Sequence, residues 1–283
     1  MGKRKKIAVL LTCHNRKQKT LNSLHSLFKC DLPKSIQFSV FLVDDGSTDG
    51  TSDAISKEFP EVELITGDGN LFWNQGMRLA WKTADKRDNY DFFFWLNDDT
   101  ILDEKAFHHI FNTYKEAKRH EGNSVIITAA CRAKEGTSRF SYGGRDDKGA
   151  VIPNGELQSC KLINGNAVLI PRKIVEEIGN LSDDYTHAMG DFDYGLRAIK
   201  NGFACYTTKE FVATCPPNDE IPNWCNPKIP LKRRWQLMHS PQGLNIQEHL
   251  VFREKFWGIK WVVYALKAYL KVLFPRIYRR LKS

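Results

Sequence analysis

The chain contains 283 residues, of which 42% are hydrophobic and 12% are aromatic. A chain of this length and composition can bury a sizeable core, which argues against a largely disordered protein. The formal net charge of +9 favours anionic partners, namely nucleic acid, acidic lipid headgroups or a phosphate-bearing substrate.

Short apolar runs alternate with helical patterns through the first half of the chain. The apolar runs predict buried strands, and apolar residues spaced three and four apart predict helices. Strands are predicted at residues 6–12, 38–43, 62–65 and 92–96, and helices at residues 17–28, 51–59, 77–84 and 105–118. This alternation predicts an α/β fold with a mostly parallel central sheet covered by helices on both faces.

The second half of the chain has a different pattern. Residues 125–170 contain strand-like segments separated by Gly-containing turns, and residues 216–230 have the Pro and Asn content of a loop. Helical patterns occur at residues 174–178, 191–200 and 247–283. We therefore predict a domain at residues 1–230 and a basic, aromatic, helical tail at residues 231–283.

The cysteines and the apolar runs bear on where the protein works. The seven cysteines include no Cys-x-x-Cys pair, which argues against a zinc site or a disulfide framework and favours a reducing cytoplasm. The apolar run after the basic start covers only residues 7–11, which is too short for a signal peptide. No stretch reaches the roughly 18 apolar residues of a membrane-spanning helix.

Polar side chains follow three of the predicted strands at the point where each strand ends. They are Thr12 and Asn15 after the first strand, Asp44 and Asp45 after the second, and Asp98 and Asp99 after the fourth. In parallel sheets of this kind, ligands bind beyond the carboxyl ends of the strands. Because unpaired buried carboxylates are costly, we expect these clusters to line an open site.

Asp98 and Asp99 are adjacent carboxylates that repel each other, and a divalent cation would remove that cost. Hard oxygen ligands suit Mg²⁺ or Mn²⁺, which also accept diphosphate oxygens. The alternative interpretation is that residues 97–99 only cap the helix that follows. The triplet alone leaves both interpretations open.

The other acidic positions also have two interpretations each. Asp44 and Asp45 are typical of a turn followed by a helix cap, or one carboxylate accepts a hydrogen bond from a pyrimidine imide or a ribose hydroxyl. Asp191 lies at a predicted helix start, where the helix dipole stabilises a carboxylate. An aspartate at that position is also simply a good N-cap.

Taken in order, four motifs resemble those of the family 2 glycosyltransferases, whose fold is of the GT-A type. The motifs are Thr-x-His-Asn-Arg, Val-Asp-Asp-Gly-Ser-Thr-Asp, Asn-Asp-Asp and Asp-x-Asp-x-Gly-x-Arg. The resemblance covers about residues 7–214. Residues 69–78 further resemble a bacterial branch that includes rhamnosyltransferase-like enzymes of surface-polysaccharide assembly.

The resemblance implies a role for each motif residue. The nucleotide or the donor sugar would be contacted by Thr12, Asn15, Asp44, Asp45, Asn74, Gly76 and Asp98. Mg²⁺ or Mn²⁺ would be held by Asp99, with Asp98 beside it, and Asp191 would be the catalytic base.

Two positions depart from the family pattern. Gly190 replaces the first acid of a Glu-Asp pair, and Cys215 lies near the position where many relatives carry a histidine. Either His187 or His239 would be a substitute for that histidine, although each is more simply a surface or packing residue.

The implied reaction is inverting transfer of a sugar from a UDP- or dTDP-sugar to a hydroxyl of a saccharide or lipid-linked saccharide. The expected pathway is cell-surface polysaccharide or glycolipid assembly. One alternative is a sugar nucleotidyltransferase, which would carry a Gly-rich loop where residues 12–17 contain no glycine. The other is a non-catalytic GT-A module that binds nucleotide-sugars, an interpretation that Gly190 leaves open.

The tail alternates aromatic and basic residues, as expected of a helix that lies on an anionic membrane surface. The alternative is a helix packed on the preceding domain with its basic face in solvent. We expect a cytoplasmic protein that associates peripherally with the inner face of the plasma membrane. A nucleic-acid partner is not expected, because the basic runs lie near the termini and no recognised RNA or DNA module is present.

Overall fold

The computed structural model describes residues 4–218 and 221–280, with side chains described through residue 277. The first half of the chain forms β1 (Lys5–Cys13), α1 (Lys17–Phe28), β2 (Ile36–Asp44), α2 (Thr51–Glu58), β3 (Glu63–Thr66), α3 (Phe72–Arg87), β4 (Phe92–Leu96), β5 (Ile101–Leu102), α4 (Ala106–Glu121) and β6 (Val125–Arg132). The next segment forms β7 (Phe140–Tyr142), β8 (Arg145–Asp146), β9 (Gly149–Ala150), β10 (Gln158–Cys160), β11 (Ala167–Pro171), α5 (Arg172–Ile178), α6 (Gly190–Lys200) and β12 (Ala204–Thr214). The remaining helices are α7 (Leu231–Met238), α8 (Ile246–Trp257), α9 (Trp261–Leu273) and α10 (Pro275–Arg280), with short 3-10 turns at Asn223–Cys225 and Gly258–Lys260.

The central sheet has the strand order β10-β12-β6-β11-β4-β1-β2-β3. β1 is parallel to both of its neighbours, β2 and β4, and β2 is parallel to β3. β12 is parallel to β6, and β11 runs antiparallel to both β4 and β6. The prediction of a mostly parallel α/β sheet is therefore confirmed.

Each face of the sheet carries its own hydrophobic core. Successive residues of a strand point to opposite faces, so Val9 of β1 packs in the cluster that includes Leu24 of α1 and Phe107 of α4. Its neighbour Leu10 packs in the cluster that includes Met77 of α3. Because helices cover both faces, the central strands are uninterrupted apolar runs, and this is why they were recognisable in the sequence.

The parallel pairing aligns the ends of the central strands. Cys13, at the end of β1, is in register with Asp44 at the end of β2. Leu96 ends β4, and β4 pairs with β1 along the edge of β1 opposite to β2. The polar residues that follow these three strands therefore emerge along one edge of the sheet, which we call the carboxyl edge.

The largest differences from the predicted helices are at α3 and in the C-terminal helical segment. α3 begins at Phe72 rather than at residue 77, because Asn74 and Gly76 in its first turns are poor helix formers that the pattern could not include. The single helical pattern at residues 247–283 is divided into α8, α9 and α10. The break after α8 falls at Gly258, which has a φ of 53°, and residues 281–283 lie outside the described residues.

The chain forms two compact units. The first comprises the residues up to Leu181 together with Asp191–Pro217, and the second comprises Ser182–Gly190 together with the residues from Asn218 onward. The domain boundary expected after residue 230 stays a prediction.

The second unit has a small core of its own, formed by Trp224, Leu237, Met238, Leu244, Ile246, Ala268 and Val272. Buried Arg234 joins two of its helices, because its Nε donates to the Val272 carbonyl at 3.0 Å and its guanidinium also donates to the Ile229 carbonyl at 2.6 Å. Among the described residues, no helix combines the length and apolar character needed to cross a bilayer.

Candidate active site

The start of α3 packs directly against the end of β1. A Cβ atom on Gly76 would lie 2.3 Å from Thr12 Oγ1, so a glycine is required at this position for the helix to approach the strand so closely. Thr12 is only 8% exposed, and Asn74, two residues before Gly76 in α3, is fully buried. Thr12 and Gly76 therefore pack against each other at the carboxyl edge, and Asn74 is buried in the same first turns of α3.

Asp45 fixes the loop that leads into α3. Its Oδ1 accepts a hydrogen bond from the Gly69 amide at 2.8 Å, and its Oδ2 accepts one from the Phe72 amide at 2.9 Å. Gly69 and Phe72 both have positive φ, 86° and 52°, so the carboxylate stabilises a loop conformation that a non-glycine residue rarely adopts.

Asp44 is held in a turn of its own. Its Oδ1 accepts from the Ser47 amide at 3.0 Å, and its Oδ2 accepts from the Ser52 hydroxyl. These bonds correspond to the turn interpretation of the acidic run. Each carboxylate oxygen has a second lone pair, so the turn does not exclude a ligand.

Asn15 connects the loops that follow β1 and β2. Its side-chain oxygen accepts a hydrogen bond from the Thr48 backbone amide at 2.7 Å, and the Asn15 backbone amide donates one to Ser47 Oγ at 2.8 Å. Asn15 has a φ of 50°, a conformation that asparagine tolerates better than most residues. Its observed contacts are those of a loop-positioning residue.

Asp98 and Asp99 are bridged by Arg16. The Arg16 guanidinium donates to Asp98 Oδ1 at 2.7 Å and to Asp99 Oδ2 at 2.5 Å. Asp98 is only 4% exposed, and its Oδ2 has no hydrogen-bond partner within residues 4–218 and 221–280. Burial raises the pKa of Asp98 to about 7, even though Arg16 acts in the opposite direction.

Cys215 lies beside this acidic pair. Its Sγ is 3.7 Å from Asp99 Oδ1 and accepts a hydrogen bond from Asn166 Nδ2 at 3.2 Å. Burial raises the pKa of the Cys215 thiol to about 12. Cys215 is therefore a neutral thiol at pH 7. It was singled out in the sequence because it lies near the position of a family histidine, and in the structure it lies beside Asp99.

The donor set at this pair suits a hard divalent cation that is shared with a phosphate ligand. No cluster of three or more His, Cys, Asp or Glu residues is arranged to hold a metal in the described part of the chain. Mg²⁺ does not require such a cluster, since it is commonly held by one or two carboxylates together with substrate phosphates and water. The unpartnered Oδ2 of Asp98 and the partly exposed carboxylate of Asp99 fit that pattern.

Asp191 lies in the first turn of α6, as expected. Its Oδ2 accepts from the Gly165 amide at 2.9 Å, and its Oδ1 accepts from the Phe192 amide at 2.8 Å. Its side chain is partly exposed, yet desolvation of the carboxyl group raises its pKa to about 6, against the lowering effect of these amides. A carboxylate with this pKa is ionised at neutral pH and is still basic enough to accept a proton.

Trp73 links the elements that carry these carboxylates. Its Nε1 donates to Asn97 Oδ1 at 2.7 Å, next to Asp98 in the chain. Its ring packs so closely on Gly165 that a Cβ atom there would lie 2.5 Å from the ring, and the Gly165 amide binds Asp191. Asp45, through Phe72, holds the loop that precedes Trp73.

The structure thus assembles the predicted residues from distant parts of the chain at one edge of the sheet. Asp45, the Asp98–Asp99 pair and Asp191 belong to one contact network that runs through Trp73. Asp44 differs, because its carboxylate is directed to its own turn at Ser47 and Ser52. Of the two histidines considered as substitutes, His239 contacts the Trp235 carbonyl and ring within the second unit.

Three residues of this network were given no role on the basis of the sequence. Arg16 ends the first motif and Trp73 lies within residues 69–78, so both belong to segments that resemble the family, but no function was predicted for either. Nothing in the local sequence marks Gly165 as part of the site. Only its packing against the Trp73 ring shows why a side chain is excluded there.

The mostly parallel sheet with helices on both faces is that of the GT-A fold. The family model for glycosyl transferase family 2 matches residues 8–161, which is more than half of the chain. The chain therefore belongs to glycosyl transferase family 2, and the resemblance drawn from the four motifs is confirmed at that level.

Curated relatives match only part of the chain. The poly-beta-1,6-N-acetyl-D-glucosamine synthase of Staphylococcus epidermidis is 24% identical over 117 residues, which cover 39% of this chain and 26% of the relative. The synthase of the same name from Staphylococcus aureus strain COL is 28% identical over 132 residues, which cover 47% of this chain and 30% of the relative. The matched stretch thus spans less than a third of these longer proteins.

Solved structures support the fold. TarS residues 1–349 of S. aureus, in complex with UDP, align with a TM-score of 0.54 and 16% identity over 74% of this chain and 60% of that one. The mannosyltransferase PcManGT of Pyrobaculum calidifontis, in complex with GDP-Man and Mn²⁺, aligns with a TM-score of 0.55 and 14% identity over 98% of this chain and 83% of that one.

Proposed function

We propose that this chain is an inverting glycosyltransferase that moves a sugar from a UDP- or dTDP-sugar to an acceptor hydroxyl. The observation that carries the proposal is the contact network through Trp73 that joins Asp191 to the Asp98–Asp99 pair. A base and an anion-stabilising centre are the two groups that such a displacement requires. Membership of family 2 favours glycosyl transfer over nucleotidyl transfer.

The donor is bound at the carboxyl edge of the sheet. Asp45 holds the loop into α3, and Thr12 packs against Gly76 beside that loop, where the nucleotide is expected to lie. Asp98 and Asp99 would hold Mg²⁺ or Mn²⁺, which on binding neutralises charge on the diphosphate leaving group.

The chemical step follows from the position of Asp191. Its carboxylate accepts the proton of the acceptor hydroxyl while the acceptor oxygen forms a bond to the anomeric carbon. The bond from that carbon to the diphosphate oxygen breaks, and the nucleoside diphosphate leaves with the electron pair. The Gly165 and Phe192 amides keep the Asp191 carboxylate oriented through both of its oxygens.

The direct test is the Asp191→Asn substitution, which keeps the shape of the side chain and removes the base. We expect sugar transfer to fall by about 10³-fold or more, near the upper range for a lost general base, while the dissociation constant for UDP changes by less than about twofold. Asp53→Asn, the same change at an exposed position on α2, serves as the matched control and should retain full activity. Wild-type transfer rates in Asp191→Asn would remove Asp191 from the mechanism.

The pH dependence gives a second test of the base. Because the pKa of Asp191 is raised to about 6, the carboxylate is protonated below that pH and ionised above it. The turnover number should rise about tenfold per pH unit below pH 6 and level off above it. A flat profile between pH 5 and pH 7 would contradict the assignment.

We further propose that α9 and its flanking residues bind an anionic membrane surface, so that the enzyme meets a lipid-linked saccharide in surface-polysaccharide or glycolipid assembly. Their exposed apolar residues define what we call the α9 face: Ile259, Val262, Val263, Leu266, Leu270, Leu273, Phe274 and Ile277. At 100° per residue the members within α9, namely Val262, Val263, Leu266, Leu270 and Leu273, fall on one side of the helix, and Lys267 lies beside them. Such a face suits the headgroup region of an anionic bilayer, at the inner side of the plasma membrane.

Vesicle flotation tests this surface in the full chain. Leu266→Gln with Leu270→Gln should lose most binding to vesicles that contain phosphatidylglycerol, whereas Ile152→Gln, an equally exposed apolar residue in the first unit, should keep it. The membrane surface would be discarded if the Leu266→Gln/Leu270→Gln variant and the Ile152→Gln variant float with the vesicles to the same extent. It would also be discarded if the wild-type protein binds neutral vesicles as well as vesicles that contain phosphatidylglycerol.

A further inference from the structure

Arg16 occupies the position at which a cation is expected. It follows β1, directly precedes α1, and spans two carboxylates that lie more than 80 positions later in the chain. One oxygen of each carboxylate accepts from its guanidinium. The other oxygen of Asp98 is buried without a partner among the described residues, and the other oxygen of Asp99 has only the weak Cys215 thiol contact.

The charges at this position do not balance. When both carboxyl groups are ionised, Arg16 contributes one positive charge against the two negative charges of Asp98 and Asp99. A guanidinium stays protonated in proteins, so it cannot lose its charge when a second cation arrives. A divalent cation on the free oxygens would lie within a few ångström of Arg16, where like charges repel by several kcal/mol even at an effective dielectric constant of about 20.

The Arg16 side chain is able to leave this position. It is 37% exposed at the carboxyl edge, unlike Asp98. A guanidinium also has a second natural partner at such a site, because its planar set of donors matches the oxygens of a phosphate group.

We propose that Arg16 and a divalent cation compete for the Asp98–Asp99 carboxylates. In the nucleotide-free protein Arg16 occupies one oxygen of each carboxylate and keeps metal affinity low. When the cation binds together with a nucleoside diphosphate, Arg16 moves from the carboxylates to the diphosphate. This inference rests on the proposed function, because it takes the diphosphate to bind at this edge, and it makes metal and nucleotide binding mutually dependent.

The test measures Mn²⁺ binding to the nucleotide-free protein by electron paramagnetic resonance of the free ion. In Arg16→Gln the carboxylates lose their competitor, so Mn²⁺ should bind about tenfold or more tightly than in the wild type. Lys17→Gln removes the same charge one residue later and should change the Mn²⁺ dissociation constant by less than about twofold, because an exposed charge is well screened. Asp99→Asn in the Arg16→Gln background should abolish the gain, which assigns the measured ion to this pair.

UDP binding provides the second readout. With saturating Mn²⁺, Arg16→Gln should bind UDP about tenfold more weakly, since a charge-assisted hydrogen bond to phosphate is lost. Arg16→Lys keeps the charge without the fork of donors, so its Mn²⁺ affinity should stay near that of the wild type while its UDP affinity falls.

Three results would overturn the competition: unchanged or weaker Mn²⁺ binding in Arg16→Gln, no Mn²⁺ binding in any variant, or a gain that survives Asp99→Asn. Wild-type sugar transfer alongside any of these would leave the proposed function standing. The opposite result is also informative. If Arg16→Gln binds Mn²⁺ more tightly but the wild-type protein transfers no sugar from UDP- or dTDP-donors, the competition is retained and the proposed function is rejected.

Discussion

Two pairs of adjacent aspartates lie at the ends of β2 and β4, the two parallel strands that flank β1, and so at the same edge of the sheet, yet their surroundings are opposite. The oxygens of Asp44 and Asp45 accept hydrogen bonds from nearby backbone amides and from the hydroxyl of Ser52 in α2. Asp98 and Asp99 meet the charged side chain of Arg16, and one Asp98 oxygen lacks a partner within the described residues.

The comparison separates two uses of the same residue type. Neutral donors fixed in a loop give a carboxylate a permanent structural role, because removing the charge disrupts the loop. A charged, partly exposed partner can be exchanged for another cation. We therefore expect substitutions in the first pair to lower stability, and substitutions in the second pair to lower activity and metal binding.

The largest effect is expected at Asp99. Asp99→Asn keeps the size of the side chain but removes a charge that the proposed cation requires, so the rate of sugar transfer should fall by about 10³-fold. Its midpoint of thermal unfolding should stay within a few degrees of the wild type, since the group is partly exposed. Circular dichroism melts and a coupled assay for the released nucleotide give both numbers. An active Asp99→Asn protein would place the pair outside the reaction.

The next effect is a pH-dependent cost of burying Asp98. Its pKa in the folded protein is raised to about 7, above the value of about 3.9 in an unfolded chain. A raised carboxyl pKa stabilises the folded state at low pH, and that contribution is lost as the pH rises from about 4 through 7. Metal-free protein should therefore lose about 2–4 kcal/mol of unfolding free energy over that range through this group, and Asp191 adds to the loss in the same direction.

Asp98→Asn isolates this contribution. Urea unfolding in EDTA should show a smaller decline between pH 5 and pH 8 in Asp98→Asn than in the wild type, and a more stable protein at pH 8. Asp53→Asn again provides the same change at an exposed position. Parallel curves for the wild type and Asp98→Asn would mean that the buried carboxylate carries no such cost.

Features of the fold and the site that depend on neighbouring residues in the chain could be predicted from the sequence, and features that depend on contacts between distant residues could not. β4 was recognisable because it is a continuous apolar run, and Asp98 could be assigned to the sheet edge because it follows that run directly. The pairing of Asp98 with Arg16 and the approach of Gly76 to Thr12 both join residues far apart in the chain. No local pattern encodes such contacts.

The same limit explains why the two acidic pairs could not be distinguished. Each is an aspartate doublet after a buried strand, and each permits a turn or a ligand interpretation. What separates them is which donors the fold brings to the oxygens: the Phe72 amide for Asp45 and the Arg16 guanidinium for Asp98.

The smallest effect we expect compares the two members of the first pair with each other. In Asp45→Asn the new amide group faces a backbone N–H at either Gly69 or Phe72. Two donors then oppose each other in a nearly buried position, which should cost about 1–3 kcal/mol. In Asp44→Asn the new amide can face Ser52, whose hydroxyl rotates to accept a hydrogen bond. Asp45→Asn should therefore lower the free energy of unfolding by more than Asp44→Asn, as measured by urea titration at pH 7. Equal losses would mean that the loop into α3 does not depend on the Asp45 carboxylate, and the structural role assigned to the first pair would then fail.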